Sequence, residues 1–550
     1  MKMMKKAAAA AMAAIFAAAS LTGCSGTSSS TGSANSTSSS NSGSASTNSS
    51  SASSESTGGS TYTGAAPVTE EAGATVSMLA MNSWYSTVDL SKNAQILDEI
   101  QKRANVTINW NMIDPTIYAD TVSPMLAAGS DLQDIVELPD KDPTMSYIKS
   151  GMFVALDEYF DSMPNYKKFL DENPNIKAML TATDGHIYYV PQTVVTNNYQ
   201  PCMMINVRWL DKLGLSEPKT LDEFVSMLRA FRDNDMNGNG DATDEIPMSL
   251  TSQFVPYLFG PAFGLDLVSG FYADDAGTVH YAYYDSENYK KYLEFVKSLY
   301  DEGLLEMEYT SLNRDQITSR CAQDITGVTF DFSWQMSTLY SAQFPDYDGT
   351  TPVFKGVGPL SGEYTGNYVG RNPVSGIFGV TKNSKNVDLA VKFLDYIMSE
   401  ECQDLYVWGL KDVTYTEQAD GSREYLPKCT EDTVWYQQLG INAPCMPSQQ
   451  SVPATDVLLA KWHGEVDKEL EQYIKAPFPE VYATDEEAGI LNQYLVDIQT
   501  YVEQMNVAFI SGTNDLSTFD SYLETLKSMN VEELIKIKQA QYDRYMAAYK

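Results

Sequence analysis

Phe231–Met248 reads FRDNDMNGNGDATDEIPM and places many oxygen-bearing side chains in one short segment. Those side chains stand at nearly alternate positions, and Gly238 and Gly240 lie between them. Ca²⁺ takes about six to eight oxygen ligands at ~2.3–2.6 Å, on a backbone that is free to bend around it. The stretch therefore predicts a calcium loop. The competing interpretation is an ordinary polar turn after a helix, because Asp, Asn and Gly are also common turn residues.

Two registers fit this loop. In the register of a helix–loop–helix calcium site, the residues at positions 1, 3, 5, 6, 7, 9 and 12 are Asp233, Asp235, Asn237, Gly238, Asn239, Asp241 and Asp244. That register has the shorter Asp244 where the twelfth position carries Glu. In the second register the ligands are Asp235, Asn237, Asn239, the Asp241 carbonyl, Asp244 and Glu245. The residues alone leave both registers open.

The chain begins MKMMKKAAAAAMAAIFAAASLTGC, which has the three parts of a secretory signal. Lysines form a charged start, Ala7–Ser20 form a small-residue apolar run, and Leu21–Cys24 form a small-residue cleavage site. The apolar run is too short and too rich in alanine for a resident transmembrane helix. Because Cys24 directly follows Leu-Thr-Gly, as in a bacterial lipobox, we expect a signal peptide at 1–23 and a lipid-modified Cys24. The alternative is a secreted protein with a chance cysteine there.

Residues 24–65 consist almost entirely of Ser, Thr, Gly, Ala and Asn after the cysteine. Such a segment has almost no apolar surface to bury, so it is predicted to be a disordered tether. About 40 residues of this composition give a root-mean-square reach of roughly 35 Å. The tether would therefore hold a folded domain away from a membrane while leaving it free to move.

Charge and cysteine usage exclude several classes of partner. The net charge is -35, from 72 acidic and 37 basic side chains, which makes nucleic acids and anionic lipid surfaces poor partners. The cysteines other than Cys24 are an odd, scattered set that indicates neither a disulfide framework nor a metal cluster. Only Cys429 and Cys445 are close enough in sequence to suggest a bridge. Otherwise the cysteines are predicted to be small buried hydrophobes, and they are Cys202, Cys321, Cys402, Cys429 and Cys445.

From Ala74 onward, short apolar strands alternate with helical segments. ATVSMLAM (74–81), VTINWNMI (106–113) and DIVELPD (134–140) have the composition of strands, and SKNAQILDEIQKRA (91–104) that of an amphipathic helix. This β-α-β-α-β order predicts a parallel, doubly wound sheet whose strand ends open onto a ligand crevice. The chain after the tether is too long for one core, so we expect two lobes.

The second lobe is predicted from a helix that Thr220 opens as N-cap, with Glu223 at the capping-box position. That helix leads directly into the candidate calcium loop. Residues 372–380 are an extended, glycine-containing return to the first lobe, and residues 485–550 are mostly helical with a break at 510–515. We expect chain crossings near 195, near 373 and at 415–440 to form a hinge of several strands.

In combination, these features resemble the extracellular solute-binding proteins of bacterial ABC importers, in the lipoprotein branch that handles oligosaccharides. The resemblance covers nearly all of the mature chain. Besides the lipobox, it is carried by RWLDKLGL (208–215), PKTLDEF (218–224), NGNG (237–240) with DEIP (244–247), LYDEGL (299–304), FISGT (509–513) and QYDRY (541–545).

The resemblance implies an α/β, two-lobe fold like that of periplasmic binding proteins, of type II topology, with a helix-rich second lobe and C-terminal helices. The expected partition is lobe 1 at 66–195 plus 373–415 and lobe 2 at 196–372 plus 416–550, with the calcium loop at 233–245. The resemblance also implies a structural Ca²⁺. Matched residue by residue, its ligands would be Asp235, Asn237, Asn239, Asp241, Asp244 and Glu245.

Two qualifications attach to that ligand set. Many family members have one residue fewer between the second Asn and the Asp-Glu pair, so direct ligation by Asp244 is open, and Asp233 stays in reserve. Extracellular modules bind calcium at about 10⁻⁴–10⁻³ M, which suits a resident ion but not a sensor.

A sugar site needs flat aromatic faces together with carboxylate and amide groups for the hydroxyls. The candidates are aromatic residues placed after strands or helices, together with one carboxylate at a strand end: Trp84, Tyr85, Tyr199, Asp331, Trp334 and Trp408. The competing interpretation is that these tryptophans are core residues and that Asp331 caps a strand end. For Trp110 and Trp209 we favour the core.

Little in the sequence indicates catalysis. The three histidines have no metal-protease spacing, and neither a Gly-x-Ser-x-Gly elbow nor a phosphate-binding glycine loop occurs. We therefore expect a binding protein and not an enzyme. It would be a monomer, lipid-anchored at the extracellular face of the membrane, that captures an oligosaccharide between two lobes and docks on the permease subunits of an ABC importer. A surface adhesion or scaffold lipoprotein and a peptide receptor are the alternatives.

Overall fold

The computed structural model of this chain describes residues 62–83, 87–139, 144–194, 201–449, 454 and 457–549. The predicted signal peptide, Cys24 and nearly all of the tether lie outside these residues. Within the described part, no helix has both the length and the apolar composition needed to cross a membrane.

The strands of the described residues belong to two main sheets and three small two-stranded ones. In chain order they are β1 (Thr75–Met81), β2 (Thr107–Ile113), β3 (Ile135–Leu138), β4 (Tyr189–Thr193), β5 (Pro201–Asn206), β6 (Ile246–Met248), β7 (Phe271–Ala273), β8 (Val279–Tyr281), β9 (Thr326–Phe332), β10 (Phe354–Gly356), β11 (Tyr368–Val369), β12 (Val374–Val380), β13 (Tyr415–Glu417), β14 (Arg423–Tyr425) and β15 (Ile474–Lys475).

Helices cover the faces of both main sheets. The α-helices are Gln95–Ala104, Tyr118–Ala128, Thr144–Lys149, Pro164–Glu172, Pro174–Leu180, Val207–Leu213, Leu221–Arg232, Phe254–Phe259, Asn288–Asp301, Arg314–Ala322, Val387–Ile397, Glu400–Trp408, Pro427–Glu431, Thr433–Gln438, Lys461–Leu470, Asp485–Ser511, Phe519–Ser528 and Val531–Tyr549. Short 3₁₀ turns lie at Pro115–Ile117, Leu156–Ser162, Gly260–Phe263, Ala282–Tyr284, Ser341–Gln343, Glu471–Tyr473 and Leu516–Thr518, and a π turn lies at Met336–Tyr340.

The first main sheet has the strand order β2-β1-β3-β12-β4. β1 is parallel to both β2 and β3, as the alternating pattern predicts, and β12 is antiparallel to β3 and to β4. All four residues of β3 are buried, because helices cover both faces of the sheet. A strand from late in the chain thus sits inside a sheet made by the first part of the chain. This order confirms the predicted α/β fold of the first lobe.

The second main sheet has the order β10-β5-β9-β6, and its centre is packed tightly. Gly327 in β9 makes this packing possible, because a Cβ atom there would lie 2.4 Å from the ring of Phe231 and 2.8 Å from that of Trp209. Trp209 is fully buried, as predicted for a core residue, and its Nε1 donates to Asp324 Oδ1 at 3.0 Å. Trp110, also predicted to be core, is only half-buried at the margin of the first lobe.

Two separate hydrophobic cores support a two-lobe fold. The first gathers side chains from Val68 to Val190 and again from Val374 onward, and the second gathers those from Cys202 to Tyr368 and from Trp462 to Leu534. The expected partition assigned residues 416–550 to lobe 2, whereas Tyr425, Tyr436 and Met446 pack in the first core. We therefore propose that lobe 1 continues through Met446 and that the third crossing follows it, later than 415–440.

The described cysteines are free thiols, and all of them are buried. Cys429 and Cys445, the pair that suggested a bridge, both pack in the first core, and Cys429 Sγ donates to Thr414 O at 3.2 Å. Burial raises the pKa of both thiols. They serve as small apolar side chains.

Candidate functional site

The two main sheets present edges that the chain crossings connect. In the first sheet, β1, β3 and β4 end at the edge where β12 begins, because β12 runs antiparallel to its neighbours. In the second sheet, β9 ends where β5 begins, with Phe332 opposite Pro201. The crossing from β4 to β5 leads from one of these edges to the other, and the segment from β11, which pairs with β15, to β12 returns the chain to the first sheet. Ligands of open α/β sheets bind outside such strand ends, so this interlobe edge is the candidate site.

Three of the predicted sugar contacts belong to segments that follow strands of this edge in the sequence. They lie outside the described residues. Trp84 and Tyr85 follow β1 within a few residues, and Tyr199 belongs to the crossing between β4 and β5. Their contact with a ligand stays a prediction.

Asp331, near the end of β9, is buried and already accepts several hydrogen bonds. Arg314 donates to it through Nε at 2.7 Å and through a terminal nitrogen at 2.8 Å, and the Tyr340 hydroxyl donates at 2.7 Å. The bidentate pair raises the pKa of Arg314. Asp331 therefore fixes Arg314, whose side chain is 43% exposed, beside the strand end. Contact between Asp331 and a sugar stays a prediction.

The two remaining candidates lie in different surroundings. Trp334 is half-buried in the turn just after β9, and its carbonyl accepts a hydrogen bond from Thr338. Trp408 is only 8% exposed and packs in the first core, where its ring stacks on Tyr425 at 5.0 Å. Trp334 thus lies just after Asp331 at the end of β9, whereas Trp408 is surrounded by tyrosines of the first core. Sugar contact by either residue stays a prediction.

The edge also carries an arginine–aromatic pair that the sequence interpretation missed. The exposed Arg371 lies in the crossing before β12, with its guanidinium 5.3 Å from the centre of the Phe332 ring. Phe332 is half-buried and packs edge-on against Phe254 at 5.8 Å. A fixed guanidinium beside an aromatic face is a suitable surface for a hydroxyl-rich ligand. The only sequence signal was the position of Arg371 directly before Asn372-Pro373.

Glu137 in β3 fastens the neighbouring strand end from within the first lobe. Its Oε2 accepts a hydrogen bond from the backbone N–H of Met81 at 2.8 Å, and among the described residues its Oε1 has no partner. Complete burial raises the pKa of this carboxyl from 4.5 to about 8. Glu137 therefore holds the last residue of β1, three positions before Trp84.

The predicted calcium loop lies between the helix Leu221–Arg232 and β6, and its side chains fold inward. The Asp235 carboxylate accepts from the N–H groups of Gly238 at 2.6 Å and Gly240 at 2.9 Å. Both glycines have positive φ, 76° and 92°, which lets the loop curl around that carboxylate. The Asn239 amide donates to Asp244 Oδ2 at 2.7 Å.

Two oxygens of this loop are buried without a hydrogen-bond partner among the described residues, Asp244 Oδ1 and Glu245 Oε2. Burial raises the pKa of Glu245. A buried carboxylate oxygen is unfavourable unless a hydrogen bond or a cation compensates it. By contrast, Asp233 already pairs with Arg232 at 2.8 Å and lies exposed at the end of the helix. Within the described part, no group of three or more His, Cys, Asp and Glu side chains is close enough to hold a metal by itself.

A family model for bacterial extracellular solute-binding proteins matches residues 95–425 of this chain. One curated relative is the fructooligosaccharide ABC transporter substrate-binding protein FusA of Streptococcus pneumoniae. It is 28% identical over 484 residues, which cover 82% of this chain and 87% of the relative.

Solved structures of FusA are also similar over most of this chain. FusA in complex with kestose has a TM-score of 0.69 and 25% identity, and the match covers 86% of this chain and 99% of that one. A structure described as a FusA EF-hand mutant in complex with fructo-nystose has a TM-score of 0.69 and 24% identity, with the same coverage.

Replacing Glu137 with Gln should change how stability depends on pH. The pKa of Glu137 is raised in the folded state, so between about pH 4.5 and 8 the folded protein keeps a proton that the unfolded chain releases. This lowers the free energy of unfolding as pH rises, by at most ~1.4 kcal/mol per pH unit. Glu137→Gln removes that loss, so the variant should gain stability relative to the wild type from pH 5 to pH 8 in urea unfolding.

The matched control is Glu172→Gln, which removes an exposed carboxylate of the same lobe. An equal Glu137→Gln effect at both pH values would show that the buried carboxyl does not retain its proton.

Proposed function

This chain belongs to the bacterial extracellular solute-binding proteins, and from that premise we propose that it is the substrate-binding lipoprotein of an ABC importer that captures an oligosaccharide between its lobes. The main support is the pair of sheet edges at which strands of both lobes end, connected by crossings that would act as a hinge. FusA, which has the same fold, is described in complex with kestose. The proposal covers binding and delivery to a permease, without catalysis.

The contacts proposed for the sugar come from both lobes. From lobe 2, the Phe332–Arg371 pair and Trp334 would supply an aromatic face and hydrogen-bond donors. From lobe 1, Trp84 and Tyr85 would supply the opposing aromatic face, at the strand end that Glu137 fastens. A ligand that contacts both lobes stabilises the closed conformation over the open one, because only the closed form makes both sets of contacts.

The tether that leads to the proposed membrane anchor is attached to lobe 1. Tyr62, the first described residue and part of the last segment of the predicted tether, donates its hydroxyl to Asp395 Oδ2 at 2.8 Å. Asn165 donates to the same oxygen at 2.9 Å, and Asp395 lies in the helix Val387–Ile397. These bonds fix the end of the tether to lobe 1, so we propose that lobe 1 is held near the membrane through lipid-modified Cys24 while lobe 2 moves.

We also propose that the loop at 233–245 holds a structural Ca²⁺ in the register that begins at Asp235. The unpartnered oxygen of Glu245, which only this register uses, supports it, and so does the pairing of Asp233 with Arg232. The ligands would be Asp235, Asn237, Asn239, Asp241, Asp244 and Glu245. When bound, the ion would balance the negative charge of the carboxylates among these ligands. The EF-hand described in FusA is consistent with such a site in this family.

Titration calorimetry with a panel of oligosaccharides that includes kestose tests the sugar proposal. The wild type should bind at least one of them with a Kd below millimolar, and Trp334→Ala should raise that Kd about tenfold, equivalent to ~1.4 kcal/mol. Tyr300→Ala, which removes a half-buried aromatic from the helix Asn288–Asp301, is the control and should leave the Kd unchanged. Failure of every saccharide to bind, or release of cleaved product, would contradict a transport receptor for sugars.

Removing calcium with EGTA should lower the melting temperature. A bound ion stabilises the folded state by about 2.7 kcal/mol when its concentration is 100 times Kd. Glu245→Gln should abolish most of the EGTA effect, whereas Asp233→Asn should preserve it, because Asp233 lies outside the proposed register. A melting temperature that is insensitive to EGTA would argue against any resident ion, and an equal response of both variants would argue against this register.

A further inference from the structure

A cavity of about 610 Å³ is lined mainly by residues of lobe 2, and the sugar site proposed above does not include it. Its walls come from residues 261–288, including the β7–β8 hairpin, from residues 364–369 and 475–479, and from the C-terminal helix Val531–Tyr549. Among these segments, residues 364–369 end with β11 and lead toward Arg371 at the interlobe edge. Its volume lies within the range of about 300–1,000 Å³ that is usual for small-molecule sites.

Aromatic rings in fixed orientations form much of the cavity wall. Tyr272 stacks on His280, with ring centres 5.3 Å apart and planes 26° apart. Phe478 stacks on Tyr542 at 5.8 Å and 23°. These stacked pairs keep the rings in place, so little side-chain entropy would be lost when a ligand ring packs against them.

Tyr364 is held at the same cavity by the backbone of Gly264. Gly264 has a φ of +75°, and a Cβ atom built on it would lie 2.8 Å from the Tyr364 ring. Only glycine permits this close approach together with that backbone conformation. The Tyr364 hydroxyl also accepts a hydrogen bond from Asn288 at 3.1 Å. A tyrosine fixed in this way and 42% exposed is a surface available to a ligand.

The polar side chains of the cavity leave an acceptor without a partner. Asn367 Oδ1 is buried and has no hydrogen-bond partner among the described residues. Asn367 directly precedes β11, which pairs in parallel with β15 and places Val369 beside Lys475, another wall residue. A buried, unpaired amide oxygen is unfavourable by about 1–3 kcal/mol, and a hydroxyl from a ligand would relieve that penalty.

The charges of the cavity favour a neutral ligand. Asp266 accepts from the N–H groups of Val268 and Ser269, and burial raises the pKa of its carboxyl. Asp274 accepts from Thr278 N–H and contacts His280 at 3.0 Å. These carboxylates would repel sugar acids and phosphates. Because their main hydrogen bonds are already satisfied within the protein, they do not require a cationic ligand.

We propose that this cavity is a second carbohydrate site, which takes a neutral mono- or disaccharide against Tyr272 and Tyr364 with a hydroxyl donated to Asn367. It goes beyond the interlobe receptor function and does not require that function to be correct. The cavity walls come mainly from lobe 2, and Tyr545 of the C-terminal helix also packs against the first core.

Saturation-transfer NMR with D-fructose, D-glucose, D-galactose and sucrose tests this site in the full mature chain. The experiment uses the Trp334→Ala variant as background, so that binding at the interlobe edge is weakened. At least one of the four sugars should give a transfer signal in that background. Adding Tyr272→Ala or, separately, Asn367→Leu should raise its Kd about tenfold, whereas adding Tyr300→Ala should not change it.

Melting curves establish whether each variant is folded. If Tyr272→Ala does not fold, Asn367→Leu is the informative variant. A crystal of the wild type soaked in the binding sugar should show it against Tyr272 and Tyr364. Absence of a signal from all four sugars, or a signal that neither cavity substitution weakens, would overturn the proposal. Either result would leave the interlobe calorimetry unaffected, so failure of this site is distinguishable from failure of the transport receptor.

Discussion

The insertion of β12 between β3 and β4 is the constraint on which the rest of the structure depends. A strand that begins at Val374 completes a sheet started at Thr75, so the chain must leave lobe 1, build lobe 2 and return. Because β12 is antiparallel to its neighbours, its beginning lies beside the ends of β3 and β4. The crossings therefore meet the sheet at the edge where ligands of open α/β sheets bind. Connection and candidate site thus share one edge.

Buried carboxylates fasten the backbone and side chains around that edge. Glu137 accepts from the last residue of β1, and Asp331 fixes Arg314 and Tyr340 beside the end of β9. At the opposite end of the second sheet, where Ile246 pairs with Thr326, Glu245 likewise accepts from Met236 N–H at 2.6 Å. Each of these acids contacts a group at least nine residues away in sequence. Burial makes such bonds effective, since a low-dielectric surrounding strengthens a satisfied hydrogen bond and penalises an unsatisfied one.

Much of the local structure follows from local sequence. The capping box is present as predicted, with Glu223 N–H donating to Thr220 Oγ1 at 3.2 Å and Glu223 Oε2 accepting from Thr220 N–H at 3.2 Å. The C-terminal break is also confirmed, because the helix Asp485–Ser511 ends at Gly512 with φ of 73°. Capping and glycine conformation depend on neighbouring residues only, so the sequence displays them directly.

Contacts between distant residues could not be predicted in the same way. The Arg314–Asp331 pair depends on a helix and a strand that meet only in the folded lobe. Residues 387–408 form two consecutive helices, because Ser399 caps the second by accepting from Cys402 N–H, and Trp408 ends it against Tyr425. Nothing in the sequence of the β13–β14 hairpin, which places Tyr425 in lobe 1, indicates to which lobe the hairpin belongs.

Lobe closure on a sugar is the central claim, and a spin-label distance measurement tests it most directly. Labels at Lys102→Cys in lobe 1 and Lys219→Cys in lobe 2 occupy exposed positions, and the described native cysteines are buried. On addition of an oligosaccharide that calorimetry shows to bind, kestose first, the distance distribution should become shorter and narrower. An unchanged distribution with the sugar bound would contradict the account.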